Sequence, residues 1–362
     1  VSRKDFQAVS PMSGYEDLPG WSAFYESQLS VEEAETLYPR RVTAVHRESL
    51  ECLTADGTIR LPITTALAEH GVTVGDWVLT ERESVEVARV LERKTLLKRG
   101  KARRTGRGDG GDEENVQLIA ANIDTLFIMS SCNADFSIAR LERYVALARQ
   151  AGVEPVVLLT KEDIACGDPA TYINEAAELQ DVQVSTIDAT SPEAAERLAP
   201  WCRPGQTIAL VGSSGVGKST LANTLTGLNI TTRAIREVDA KGVHTTTSRS
   251  MHPMSGGGWL IDSPGIRSVG LVESGKEEAV DEVFEDITDL ATRCKFSNCR
   301  HENEPGCAVK VAVSADRLQR WRALQQKNGM TTPKSHKARD AKKDAKISKH
   351  LRTKGDRKSK HK

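Results

Sequence analysis

The chain has 362 residues, 38% hydrophobic and only 4% aromatic, a globular composition long enough for two or three domains of about 100–200 residues each. No apolar run approaches the roughly 20 residues that span a bilayer, and the polar opening VSRKDFQAVS lacks a signal-peptide core, so a cytoplasmic protein with no membrane partner is expected. The zero net charge conceals an asymmetry: of 50 basic and 50 acidic side chains, 13 and 3 fall in Thr331–Lys362, leaving 37 and 47 for the acidic body before it.

Residues 1–37 read as a poorly structured lead ending in a short helix, where Ser30 caps VEEAETLY and acids fill the first turn. From Arg40 to Leu97 the texture changes to about five short alternating runs, several separated by Gly or Asp-Gly turns. They predict a small β-barrel; an oligonucleotide-binding barrel leads, with an SH3-like one as the alternative. KRGKARRTGRGDGGDEEN (Lys98–Asn115) has no apolar periodicity and reads as a flexible loop whose basic half can touch phosphate. After it the pattern turns α/β. NIDTLFIMSS is a buried strand, Ser137–Ala151 a helix, VEPVVLLTK a second strand, Thr171–Leu179 a helix and VQVSTID a third strand. QTIALVG and GWLIDSPG supply two more. Alternating strands and helices imply a mostly parallel sheet covered on both faces.

VGSSGVGKST, between QTIAL and the helix KSTLANTLTG, fits the phosphate-loop pattern G-x-x-x-x-G-K-[ST] in its proper strand–turn–helix setting. Gly212, Ser213, Ser214, Gly215, Val216 and Gly217 form the turn, and the N–H groups of Ser214–Ser219 cradle phosphates with help from the helix N-terminus. Lys218 reaches the β- and γ-phosphates, the Ser219 hydroxyl ligates Mg²⁺, and Thr220 completes the motif. Downstream, LIDSPG puts Asp262 where a carboxylate holds Mg²⁺ through water, and Gly265 where an N–H faces the γ-phosphate. Between them KGVHTTTSRS is long enough for a switch loop, with Thr245 or Thr246 offering the second hydroxyl to the metal.

The base-reading element lies upstream, in VVLLTKED: Thr160, Lys161, Glu162 and Asp163 fit an [NT]-K-x-D turn after a strand. An aspartate there pairs with the guanine N1–H and exocyclic amine, which adenine cannot match. Val184–Asp188 is expected to offer a backbone contact to the base near Ser185 or Thr186. The order base-reader, phosphate loop, switch, Mg²⁺ aspartate is a circular permutation of the usual one. Ile266 occupies the place where Ras-like enzymes carry a water-aligning glutamine, so another group must position water. His244 is the candidate.

Farther on, CKFSNCRHENEPGC gives C-x₄-C-x-H-x₅-C. Cys294, Cys299, His301 and Cys307 can complete a closed tetrahedral shell, which predicts one structural Zn²⁺. The other four cysteines are scattered and read as ordinary residues. In ADRLQRWRALQQK the stripe Leu318, Trp321 and Leu324 reads as packing rather than RNA stacking. Because aromatics are scarce, RNA contact is assigned to phosphate-binding by Lys98–Arg107 and the basic tail.

Together VGDWV, IAANIDTLFI, RLERYVALARQAGVEPVVLLTKEDI, GSSGVGKSTLANTL, KGVHTTTS, LIDSPGIR and the cysteine cluster resemble the RsgA (YjeQ) family of circularly permuted, ribosome small-subunit-dependent GTPases. The resemblance runs from about Arg40 to Lys327. It departs at Thr160, where many relatives carry Asn, and in placing its basic segment at the C-terminus. It implies an oligonucleotide-binding barrel, a permuted GTPase domain and a zinc domain. It implies also a monomer that turns GTP into GDP on the small ribosomal subunit, against 16S rRNA, late in subunit maturation, with His244 catalytic. The expected segments are an extension over 1–37, the barrel over 38–98, a linker over 99–115, the GTPase domain over 116–275, a helical zinc domain over 276–330 and a disordered tail over 331–362. The competing reading is an RNA-binding assembly module in which the nucleotide is structural.

Overall fold

The structure is a computed structural model that describes residues 18–54, 57–82, 84–100, 116–228, 249–262 and 276–327. The chain divides into two compact units, Val1–Val272 and Glu273–Lys362. His244, Thr245, Thr246, Gly265, the loop 101–115 and the tail 331–362 lie outside the described residues.

The first unit opens with α1 (Ala23–Glu26) and α2 (Val31–Thr36). Ser30 caps α2 in a complete capping box: its hydroxyl accepts from the Glu33 N–H at 3.1 Å, and Glu33 accepts from the Ser30 N–H at 2.9 Å. Five strands follow, β1 (Leu37–Val45), β2 (Ser49–Thr54), β3 (Gly57–Pro62), β4 (Trp77–Glu81) and β5 (Arg89–Val90), with α3 (Thr65–His70) between β3 and β4. A register shift between Val42 and Ala44 bends β1, so that its first half pairs with β4 and its second with β2. One long bulged strand shared by both halves of the meander gives these five strands the order β3-β2-β1-β4-β5, the arrangement expected of an oligonucleotide-binding barrel. Leu18, Trp21 and Tyr25 pack onto Trp77, with the Trp21 and Trp77 rings edge-on at 5.1 Å. The segment before Ser30 is therefore part of the barrel's core, which the sequence reading treats as loose chain.

Strands β6 (Leu96–Gly100) and β7 (Val116–Ala121) pair antiparallel. The basic, glycine-rich stretch thus joins two strands of one hairpin. Then come β8 (Thr125–Ser131), α4 (Ile138–Ala151), β9 (Glu154–Thr160), α5 (Pro169–Ala177), β10 (Gln183–Ile187), α6 (Glu193–Leu198), β11 (Thr207–Gly212), α7 (Lys218–Thr226), β12 (Arg249–Pro253) and β13 (Trp259–Asp262). The strand order is β10-β9-β8-β11-β13-β12-β1-β2-β3. The first five are parallel; β12 and β1 join antiparallel, so the sheet runs unbroken into the barrel. The strands β8, β9 and β11 are buried nearly throughout and rich in Val, Ile and Leu, as a sheet covered on both faces requires. After β10 the chain returns to the far side of β8. That reversal opens a crevice at the carboxyl ends of β8 and β11, the usual ligand position in such sheets.

The second unit comprises α8 (Lys276–Val283), α9 (Glu285–Ala291), α10 (Ala308–Ala312) and α11 (Ala315–Lys327). Leu318, Trp321 and Leu324 are buried, as the helical stripe predicts. Arg317 grips the Asp286 carboxylate with two bonds of 2.7 Å and lies over the Phe284 ring.

Candidate functional site

The crevice is built around Gly212, where β11 ends. Its φ is +144°, and a Cβ there would lie 2.3 Å from the Met129 carbonyl oxygen of β8. Only glycine lets the two parallel strands approach this closely while the chain turns outward. Ser214 and Gly215 are exposed at the crest of the turn, and Val216 is buried beneath it. Gly217, with φ of +100°, then starts α7, whose first residues are Lys218, Ser219 and Thr220. The Lys218 side chain is buried and folds back over the loop, its ammonium donating to the Gly212 carbonyl at 2.9 Å and to the Ser213 carbonyl. The ammonium is thereby stored beside the concave side of the turn, within reach of an anion placed there.

The TKED turn follows β9, two strands away. The Cys132 N–H at the end of β8 donates to the Thr160 carbonyl, and the Cys166 N–H donates to the Cys132 carbonyl. These bonds hold the turn against β8. Thr160 is buried, and its hydroxyl donates to the Val216 carbonyl at 2.8 Å, with the Ser130 carbonyl at 3.3 Å. Thr160 therefore ties the end of β9 directly to the VGSSGVGKST turn, as a tether between the two expected recognition segments. Lys161 takes φ of +60°, a left-handed conformation uncommon for a residue with a side chain, and turns the strand into the 3₁₀ segment Glu162–Ile164. Glu162 and Asp163 are exposed there.

Ser185 and Thr186 lie inside β10, paired with Leu158 and Leu159. Because β10 is the edge strand of the sheet, it pairs on one side only, and beyond Ile187 the chain leaves the ladder at Asp188. Asp188 closes a tight turn by accepting from both the N–H and the hydroxyl of Thr190. The Thr224 hydroxyl of α7 donates to the Ala189 carbonyl at 2.8 Å, so this turn is fastened to the helix that follows the phosphate loop. Asp262 ends β13, next to β11, and is half-buried opposite Ser250 of β12. The VGSSGVGKST turn, the TKED turn and Asp262 are thus gathered at the carboxyl end of one sheet. The sequence pattern did not single out Asp135 and Arg140, in the turn and first helical residues after β8. Arg140 donates to the Asp135 carboxylate and to the Ser213 hydroxyl of the phosphate loop.

In the second unit Cys294, Cys299, His301 and Cys307 bring their ligand atoms within 4.8 Å of one another. The Sγ atoms of Cys294 and Cys307 are 4.0 Å apart, and His301 Nδ1 lies 3.6 and 3.4 Å from them. A tetrahedral Zn²⁺ with bonds of about 2.3 Å to sulfur and 2.0 Å to nitrogen demands spacings of about 3.8 and 3.5 Å. Three thiols and one imidazole with no open position fit that ion. Burial pushes the Cys299 thiol up to about 12, so a cation is needed to hold it as thiolate at neutral pH. The Lys310 N–H donates to the Cys307 sulfur at 3.4 Å. Glu304 shapes the loop between the last two ligands by accepting the N–H groups of Arg300 and Glu302, and these backbone bonds hold its carboxyl down at about 2. By contrast, burial pushes the Cys52 and Cys202 thiols up to about 12 with no ligand set around them, as inert core residues.

Residues 90–272 match the family model described as RsgA GTPase. A relative from Mesorhizobium japonicum, named small ribosomal subunit biogenesis GTPase RsgA, is 49% identical over 90% of this chain and 93% of its own length. A Vibrio parahaemolyticus relative named small ribosomal subunit biogenesis GTPase RsgA 2 is 42% identical over 83% and 80%. Among solved structures, YjeQ from Thermotoga maritima superposes with a TM-score of 0.58 at 21% identity, over 81% of this chain and 98% of that one. YloQ, described as a circularly permuted GTPase, superposes at 0.55 with 20% identity, over 82% and 97%. These two likenesses carry the permuted fold.

Proposed function

The chain belongs to the RsgA GTPase family, and from that premise we propose that it binds GTP at the described crevice and hydrolyses it when docked on the small ribosomal subunit during late assembly. The observation that carries the reading is the Thr160–Val216 bond, which joins a base-reading turn and a phosphate cradle into one site. Asp163 accepts from the guanine N1–H and amine, with the Lys161 stem over the ring, and Thr160 and Glu162 shape the turn. The N–H groups from Ser213 to Thr220 hold the phosphates together with that of Gly265, and Lys218 leaves the Gly212 and Ser213 carbonyls for the phosphate oxygens.

Ser219, Asp262 and one of Thr245 and Thr246 would hold Mg²⁺, which would supply positive charge to the phosphate oxygens. His244 orients the attacking water, since Ile266 has no group that can. All these residues come from one chain, so a monomer suffices for the reaction, and the protein is read as one. Cys294, Cys299, His301 and Cys307 hold a structural Zn²⁺ that fixes the fold of the second unit. The partner is the small subunit with its 16S rRNA, in the cytoplasm, reached through phosphate contacts by Lys98–Arg107 and the tail. The relatives' shared name supports the subunit assignment.

Co-sedimentation with purified small subunits tests the reading. The chain is expected to pellet with subunits in the presence of a non-hydrolysable GTP analogue and to stay in the supernatant with GDP. Equal pelleting in both states would instead favour the RNA-binding module in which the nucleotide is structural.

A further inference from the structure

We propose that Arg140 is a positioning residue for nucleotide binding, held by Asp135 and acting on the phosphate loop through Ser213. The proposal rests on reading Val211–Thr220 as the phosphate loop of a guanine-nucleotide site.

Arg140 stands in the first turn of α4, and its guanidinium meets Asp135 three times. It reaches the two carboxylate oxygens at 2.9 and 3.3 Å and the backbone carbonyl at 3.2 Å. The same guanidinium donates to the Ser213 hydroxyl. Asp135 is held below the usual carboxylate range, first by Arg140 and then by the Ser213 hydroxyl, so the three side chains form a closed set. Asp135 is itself anchored. Its N–H donates to the Asn133 side-chain oxygen at 3.0 Å, which also accepts from the Ser131 hydroxyl at 2.9 Å. A run of hydrogen bonds therefore leads from the end of β8 to Ser213 of the phosphate loop.

Ser213 carries two cations, Arg140 on its hydroxyl and Lys218 on its carbonyl. Lys218 must leave that carbonyl to reach phosphate, and a loop fastened by Lys218 alone would then lose order. Arg140 stays. With Thr160 holding the Val216 carbonyl at the other end, the loop is pinned at both sides while Ser214 and Gly215 remain exposed to the nucleotide. Such preorganisation lowers the ordering cost of binding, so it acts on affinity rather than on the chemical step. The Arg140 and Asp135 side chains are 33% and 48% exposed, and a pair so wet contributes little to folding. Its selective value lies in the loop it holds.

The test is titration of Mg²⁺–GDP and Mg²⁺–GTP into the full chain by calorimetry, alongside turnover at saturating GTP and thermal melting. Arg140→Ala is expected to weaken both nucleotides about three- to tenfold, the loss of a charge-assisted hydrogen bond. Turnover at saturation and melting should match the wild type. Ser213→Ala should show the same loss, and the double variant no more than either single one. Arg140→Lys should not restore affinity, because an ammonium cannot bridge Asp135 and Ser213 with a planar fork. Wild-type affinity in Arg140→Ala, additive losses in the double variant, rescue by lysine, an effect confined to turnover, or a fall in melting temperature that accounts for the loss would each overturn the proposal. A wild-type chain that bound GDP and GTP no better than ADP and ATP would overturn the functional reading itself.

Discussion

The Thr160 hydroxyl reaches the Val216 carbonyl because β9 delivers it directly beneath the VGSSGVGKST turn. Asp163, three residues on, is exposed and available to a base. Asp163→Asn is expected to lower GTP affinity by about 100-fold, since two hydrogen bonds to a charged acceptor are lost or inverted, and to shift preference toward xanthosine triphosphate. Competition binding with the two nucleotides reads this, and unchanged guanine preference would remove Asp163 from the site. At Gly212 the constraint is steric. Gly212→Ala drives a Cβ into the Met129 carbonyl and should cost about 2–4 kcal/mol, seen as a melting temperature lower by roughly 5–10 °C. A variant that melted like the wild type would mean that β8 and β11 separate freely.

Contiguous patterns were legible as elements: VGSSGVGKST, TKED and Asp262 each follow or end an expected strand, and the spacing of CKFSNCRHENEPGC foretells the gathered Cys and His side chains. The strand before each loop is recognisable from its apolar run. Elements defined by distant partners were not. Arg140 and Ser213 are 73 residues apart, and an arginine inside RLERY carries no sign that it will reach a phosphate loop. The pairing of β6 with β7 was hidden by the charged stretch between them, and α1 is too short to show periodicity. The cysteine cluster gives the element-scale prediction. Cys307→Ser, or treatment with a strong chelator, is expected to remove one Zn²⁺ per chain and make the 276–327 segment protease-sensitive, with GDP affinity unchanged. Full protease resistance in a zinc-free chain would show that helix packing alone sustains this unit.

Across the first unit the barrel and the nucleotide sheet share structure. Pairing of β1 with β12 makes one continuous sheet, and β12 directly follows KGVHTTTS in the chain. Arg41, at the middle of β1, is fully buried. It donates to the Pro19 carbonyl, the Asn122 carbonyl and, at 2.7 Å, to the Thr207 hydroxyl at the start of β11. Burial lowers its pKa to about 10, so it keeps its charge at neutral pH. The strand that ends in the phosphate loop is therefore bolted at its start to the barrel. Composition and periodicity could not show this, because an arginine in an alternating strand reads as a solvent-facing residue. In chain order the TKED turn comes first, VGSSGVGKST next and Asp262 last, and the second unit follows in sequence.

The most direct measurement is steady-state GTP turnover by the full chain with and without purified small subunits, for the wild type and His244→Ala. Turnover is expected to rise by more than about tenfold with subunits, a modest floor against the ~10³–10⁵-fold effects of GTPase activators. His244→Ala is expected to lose this rise while still binding GTP. Wild-type turnover indifferent to small subunits, or an undiminished rise in His244→Ala, would contradict the proposed function.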